Sequence, residues 1–201
     1  AADFAGADGE GSLAELRQSL GTLLGKSFFV TAQMQQQFAR NRFRGVTPVL
    51  MLLLARAGFQ IDSATAVVLS ADGRLCARAF ADRVDNAGVV IGYHGSDGVE
   101  RRLSYLRVDL SDQGLQAMPG YALLVQRFGV QVSYLKSASY LLHTAGFSQI
   151  RALLLAQSPA LLQDDSGIPY REFDPSAWTA TLYGHYQQAA SGFGGHTQPA
   201  L

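Results

Sequence analysis

Between Ile61 and Leu110 the sequence twice sets out the same pattern: an apolar β-branched or alternating run, a glycine-bearing turn, and a second alternating run. The first copy is "IDSATAVVLSADGRLCARAF" (61–80). Its turn is "ADG", and Leu75, Ala77 and Ala79 fall on one side of the return strand. The second is "AGVVIGYHGSDGVERRLSYLRVDL" (87–110), turning at "GSDG". Over 99–109, Leu103, Tyr105 and Arg107 share one face, and Ser104, Leu106 and Val108 share the other. A period of two interrupted by glycine turns specifies β-hairpins. Two hairpins in succession predict an antiparallel meander of about four strands.

On both sides of this block the period becomes helical. Ser12 with Glu15 forms a capping box, and Leu13, Leu16, Leu20, Leu23 and Leu24 follow at helical spacing up to Gly25. Thr31 caps a second segment, "AQMQQQFARNRF". "TPVLMLLLARAG" is expected to have Thr47 as cap, Pro48 at the first helical position and Gly58 beyond its end. It is apolar on nearly every side and is expected to be a buried central helix. Downstream, helices are predicted over 114–128, with a kink at Pro119-Gly120, over 133–145 and over 147–158. A strand–turn–strand spans 159–173, and "WTATLYGHY" (178–186) alternates strictly, as a closing strand does. The order lacks βαβ alternation. The expected fold class is α+β: a mostly antiparallel sheet of about five to seven strands with helices packed on one face. Residues 1–11 read as a flexible lead, 12–186 as a single domain and 187–201 as a mobile tail.

Composition narrows the function. The chain has 201 residues, of which 48% are hydrophobic and 16% charged, against a usual charged share of about 25%. Sixteen acidic residues balance 16 Lys and Arg, so no basic excess exists to displace phosphate counterions, and nucleic acid is not an expected partner. Cys76 is the lone cysteine, which precludes an internal disulfide framework or a cysteine zinc site. The apolar run at 46–59 is broken by Arg56 and falls short of the roughly 20 residues a bilayer crossing needs. No transmembrane segment is expected. His94, His143, His185 and His196 have no zinc-site spacing, and neither a dinucleotide nor a P-loop glycine motif occurs. No metal and no cofactor are expected.

The most distinctive stretch is "QDDSGIP" (163–169). One tight corner accounts for it. Asp164 or Asp165 bonds backbone amides two residues on, Gly167 takes a positive φ, and Ile168 is held extended by Pro169. A catalytic reading makes Ser166 a nucleophile, with His143 or Lys136 as its partner and Asp164 or Asp165 as orienter. A metal reading would gather Asp164, Asp165, Glu172 and Asp174, but Arg171 lies among them and an ion pair is the simpler account. On the helix expected over 133–145, Lys136, Tyr140 and His143 share a face. Lys136 is expected to pair with Asp164 or Asp165, clamping helix to turn. Arg40, Arg42 and Arg44 are expected to complement a helix C-terminus, the alternative being a docking patch for a carboxylate, phosphate or anionic surface. Tyr93, Tyr105, Tyr170, Phe173, Trp178, Tyr183 and Tyr186 divide between core packing and an exposed aromatic face.

The "KSASYL" segment (136–141), the "QDDSGIP" turn and the closing "WTATLYGHY" resemble a set of uncharacterised exported bacterial proteins. That set carries a KxASYLxH helix, a QDDSGIP turn and a W…YGxY strand. "SFFVTAQM" and "GVTPVLMLLLARAGFQI" fit it too, so the resemblance covers roughly residues 20–186. It implies a periplasmic or otherwise exported protein, the cytoplasm being the alternative, and implies no activity. It also implies an upstream segment with a Tyr-Pro-Phe-Ser-Gly-Pro-Asp-like stretch that has no match here, so that segment of the same protein is an expected partner. The function expected is an exported, non-catalytic binding protein for an unknown protein or small molecule. Its contact residues are expected to be Lys136, Tyr140, Arg171, Trp178 and Tyr183. The alternative is a hydrolase using the Asp164–Asp165–Ser166 turn with His143 or Lys136.

Overall fold

The computed structural model describes residues 46–79, 86–136, 138, 140–185 and 198–200. The helices expected before residue 45, the arginines at 40, 42 and 44, Tyr186 and residues 187–197 lie outside the described residues. The elements run α1 (Thr47–Arg56), β1 (Gln60–Leu69), β2 (Leu75–Ala77), β3 (Ala87–His94), β4 (Glu100–Leu106), α2 (Asp112–Ala117) and α3 (Gly120–Phe128). They continue β5 (Ser133–Leu135), α4 (Ser148–Gln157), β6 (Leu161–Gln163), β7 (Gly184–His185) and β8 (Pro199–Ala200). Single 3-10 turns occur at Leu141–His143, Ala145–Phe147 and Tyr170–Glu172. The fold is α+β. The two expected hairpins form a mostly antiparallel four-stranded sheet of order β2-β1-β3-β4.

The sheet of five to seven strands is corrected. The later strands make two separate pairs: β5 with β6, in parallel, and β7 with β8, antiparallel. The helix expected over 133–145 is corrected as well. Ser133–Leu135 is a strand, and Tyr140 sits at φ 58°, a left-handed conformation that ends any helix. Val130, Val132 and Tyr134 alternate in a way that suits a strand, and the parallel partner α4 delivers outweighs the helical spacing of the same residues. The expected second strand of the corner, 169–173, is instead the 3-10 turn at Tyr170–Glu172. Of the strand expected over 178–186, only Gly184 and His185 are paired among the described residues.

The chain divides into two compact units. One reaches to Ala64 and includes Ile91–Leu103; the other comprises Thr65–Val90 and Ser104 onward. In the first, α1 begins at Thr47 with Val46, not Thr47, at the cap, and Pro48 in its first turn. Val49 and Leu54 are buried while Leu53 is 45% exposed, so α1 is half-buried, not the central helix expected. Phe59 meets Tyr93 edge-on at 5.1 Å, with the Arg101 guanidinium 6.0 Å from the Phe59 ring. Asp97 holds the β3–β4 turn by accepting from the Val99 amide and from Arg101.

In the second unit the β1–β2 hairpin pairs Val67 with Ala77 and Leu69 with Leu75. Its turn needs Gly73 at φ +76°. Arg127 of α3 donates to the carbonyls of Gly73 and Asp72 at 3.0 and 2.9 Å, tying helix to turn. The kink expected at Pro119-Gly120 is a complete break between α2 and α3. Gly120 is required there, because a Cβ would lie 1.9 Å from the Ser70 carbonyl oxygen. Leu115, Leu142, Ile150 and Ile168 form the centre of this unit's core, with Leu135, Phe147, Leu161 and Phe173 packed around them. The "QDDSGIP" corner thus plugs the core through Ile168, which is fully buried.

Candidate functional site

Two neighbouring arrangements occupy the region the sequence singles out: a closed polar corner and an open aromatic groove. In the corner, Gln163 is fully buried, and its side-chain amide pairs with the Ile168 backbone as a second strand would. Its Oε1 accepts from Ile168 N–H at 2.8 Å and its Nε2 donates to the Ile168 carbonyl at 2.8 Å. Gly167 makes room for this clamp, since a Cβ there would stand 2.4 Å from Gln163 Oε1. That replaces the expected reason for the glycine: Gly167 is not among the positive-φ residues. Asp164 Oδ1 accepts from the Ser166 amide at 3.1 Å and from the Ser166 hydroxyl at 2.6 Å, which is the expected Asx-turn. Asp165 is 5% exposed and accepts a hydrogen bond from the Tyr140 hydroxyl. The Tyr140 and His143 rings pack in a T-shaped arrangement, 5.3 Å between centroids.

The sequence candidates therefore separate. Asp165, Tyr140 and His143 come together; so do Asp164 and Ser166. Ser166 is only 5% exposed, and its hydroxyl proton is directed at Asp164. Lys136 is exposed, one residue past β5. It shares no helical face with Tyr140 and His143, because the helix that would align them does not form. Beside it the Asp164 N–H donates to the Leu135 carbonyl at 3.3 Å. The Arg171 side chain is 73% exposed, and its Nε lies 3.6 Å from a carboxylate oxygen of Glu172. Among the described residues, no three His, Cys, Asp or Glu side chains gather as metal ligands do, and no helix is long and apolar enough to cross a membrane.

Arg171, Trp178 and Tyr183 line the groove, with Tyr170, Phe173 and Leu161. Its volume of about 900 Å³ lies in the range of small-ligand sites. One wall is the chain from Pro159 to Leu162; the other is residues 177–181 with Tyr183. Asp174 positions that second wall. Its Oδ1 takes the Ser176 amide and hydroxyl, both at 2.8 Å, and its carbonyl accepts from Trp178 N–H at 2.9 Å. The amide of Ser176, then its hydroxyl, hold the Asp174 carboxyl below the ordinary range. Trp178 then stands edge-on to Phe173, 5.3 Å between centroids. The Tyr183 hydroxyl bridges the walls at one end, donating to the Gln163 carbonyl at 2.7 Å. Desolvation raises its pKa, and the neighbouring Tyr134 and Asp164 raise it further. At the corner, Gln198 donates to the Ile168 carbonyl at 3.2 Å and accepts from the Tyr170 amide at 3.0 Å.

Gln163 and Gln198 were not singled out by sequence. The signal for Gln163 is faint: a lone amide side chain between an apolar run and a turn, where a buried polar group must find partners. No protein-family model, curated protein or solved structure matches the chain.

Proposed function

We propose that this protein is an exported, non-catalytic binding protein and that its ligand lies in the groove between 159–162 and 177–183. The support is the open row of Tyr170, Phe173, Trp178 and Tyr183 along one slot, with the Arg171 cation at its side. Rings with polar tips give contact area at low entropic cost, as binding surfaces need. The acidic corner next to it is engaged in architecture: Asp165 on Tyr140, Asp164 on Ser166, Gln163 on Ile168. Assignment outside the cytoplasm rests on the resemblance carried by the corner motif.

Trp178 is the lone tryptophan of the chain and lines the groove, so its emission reports occupancy directly. Titration with a panel of short peptides and of soluble oligosaccharides is expected to give a saturable change with at least one class, reduced at least tenfold in affinity by Tyr170→Ala. A flat response to every member overturns the reading. Turnover of a nitrophenyl ester that Ser166→Ala abolishes would replace it with the hydrolase.

A further inference from the structure

One wall of the groove has the backbone chemistry of an open β-strand edge. β5 and β6 pair in parallel with Ser133 opposite Leu161, Tyr134 opposite Leu162 and Leu135 opposite Gln163. The flanking bonds, Ser133 N–H to the Ala160 carbonyl and Asp164 N–H to the Leu135 carbonyl, fix which residues of β6 face β5. In a parallel ladder alternate residues bond to opposite sides. Leu162 therefore spends its amide and carbonyl on β5, and those of Leu161 point to the other edge, into the groove. Among the described residues neither group of Leu161 has a backbone partner across that edge. Pro159, two residues earlier, lacks an N–H, as residues at the margin of an open edge often do.

The opposite wall shows the complementary deficiency. "WTATLY" (178–183) alternates like a strand and is rich in β-formers, yet among the described residues nothing pairs with it before Gly184. A strand-forming sequence without a ladder partner among the described residues, lining the same groove as a sheet edge with an open amide and carbonyl, has hydrogen-bonding capacity for one neighbour. At one end the Tyr183 hydroxyl, 2.7 Å from the Gln163 carbonyl, spans from one wall to the other and closes the slot.

We infer that the groove binds an extended peptide of another protein by strand addition, as a central strand between β6 and residues 178–183. The peptide would bond to the amide and carbonyl of Leu161 on one side and to the 179–181 backbone on the other. Its side chains on the aromatic face would be apolar and meet Tyr170 and Trp178. An acidic residue at one end would answer Arg171, whose only ion-pair partner among the described residues is a loose contact to Glu172. This rests on the groove being the binding site, and it adds what kind of ligand the groove takes.

The probes are acetylated, amidated hexapeptides alternating Val or Tyr with Thr and ending in Asp, tested against the isotope-labelled protein. At saturation the Leu161 amide and at least one amide within 179–181 should exchange with solvent at least tenfold more slowly, and Trp178 emission should shift. N-methylation of the two central peptide amides should abolish binding, and Arg171→Ala should weaken it at least threefold while leaving the melting temperature unchanged. A Trp178 response without amide protection overturns strand addition and leaves the groove as the binding site. So does a response to oligosaccharides alone. Silence of Trp178 towards peptides and oligosaccharides alike overturns both.

Discussion

At the scale of single residues, Gln163 carries more of the corner than either aspartate. Its amide meets Ile168 as a peptide group would, with one donor and one acceptor, both at 2.8 Å, where no water can substitute. Gln163→Leu keeps the volume and leaves the Ile168 amide with no acceptor, an unmet buried donor that costs about 1–3 kcal/mol. A chemical denaturation midpoint lowered accordingly, with an unchanged slope, is the expected result. Gln163→Glu separates hydrogen bonding from packing. An ionised carboxylate still accepts from Ile168 N–H but sets its second oxygen against the Ile168 carbonyl, whereas a protonated one donates to it. The folded state therefore prefers the protonated acid and raises its pKa. Stability of this variant should be greatest below about pH 4.3, the unfolded value, and fall as pH rises from there to the folded value. A pH-independent deficit would mean that shape alone matters at this position.

At the scale of elements, α4 is capped from elsewhere in the chain. Phe147 at its N-cap supplies no side-chain acceptor. Asp112, the first residue of α2, does so instead: Oδ1 accepts from the Gln149 amide at 2.8 Å and Oδ2 from the Ser148 hydroxyl at 2.7 Å. The Gln149 amide is the chief reason the Asp112 carboxyl titrates below its ordinary range, with Ser148 adding to it. A depressed acid stabilises the fold above its unfolded pKa and loses that contribution as pH falls through the folded value. Asp112→Asn should lower the melting temperature by a few degrees at pH 7, and the gap to the parent should close in acid, once the pH lies below the depressed folded value. Equal gaps at neutral and acid pH would show that the carboxylate charge is irrelevant. This contact also marks where sequence reading stops. The hairpins, α1 and α4 were legible, because each is set by local period and by Gly or Pro at its ends; at Pro119-Gly120 a kink was legible where the chain breaks completely. The β5–β6 pair was not. Ser133–Leu135 acquires its partner 28 residues later, and three residues of strand leave too short a period to outweigh the helical spacing around them. The same holds for the site. Trp178, Tyr183 and Arg171 were legible as polar-tipped aromatics and a cation, but the slot they line depends on that unseen pairing.

For the whole molecule the governing quantity is charge. Sixteen acids and 16 bases cancel at pH 7, and charged residues are only 16% of the chain. A surface so thinly charged has little long-range repulsion, and it carries exposed apolar residues: Val130, Val132, Tyr134 and Leu162 are all at least 47% exposed. Val130, Val132 and Tyr134 alternate along one segment, and Tyr134 stands opposite Leu162 in the parallel ladder, so their side chains lie on one side of that pair. Near zero net charge nothing opposes contact between such patches on separate molecules. Solubility should therefore pass through a minimum close to the sequence pI of about 7.1. Turbidity of a concentrated solution should clear on either side of that pH. Val132→Lys, which adds charge within the apolar patch, should shift the minimum upward and make it shallower. If solubility is least far from neutrality, or if Val132→Lys leaves the minimum as deep as before, then specific contacts and not the missing charge govern how this protein associates with itself.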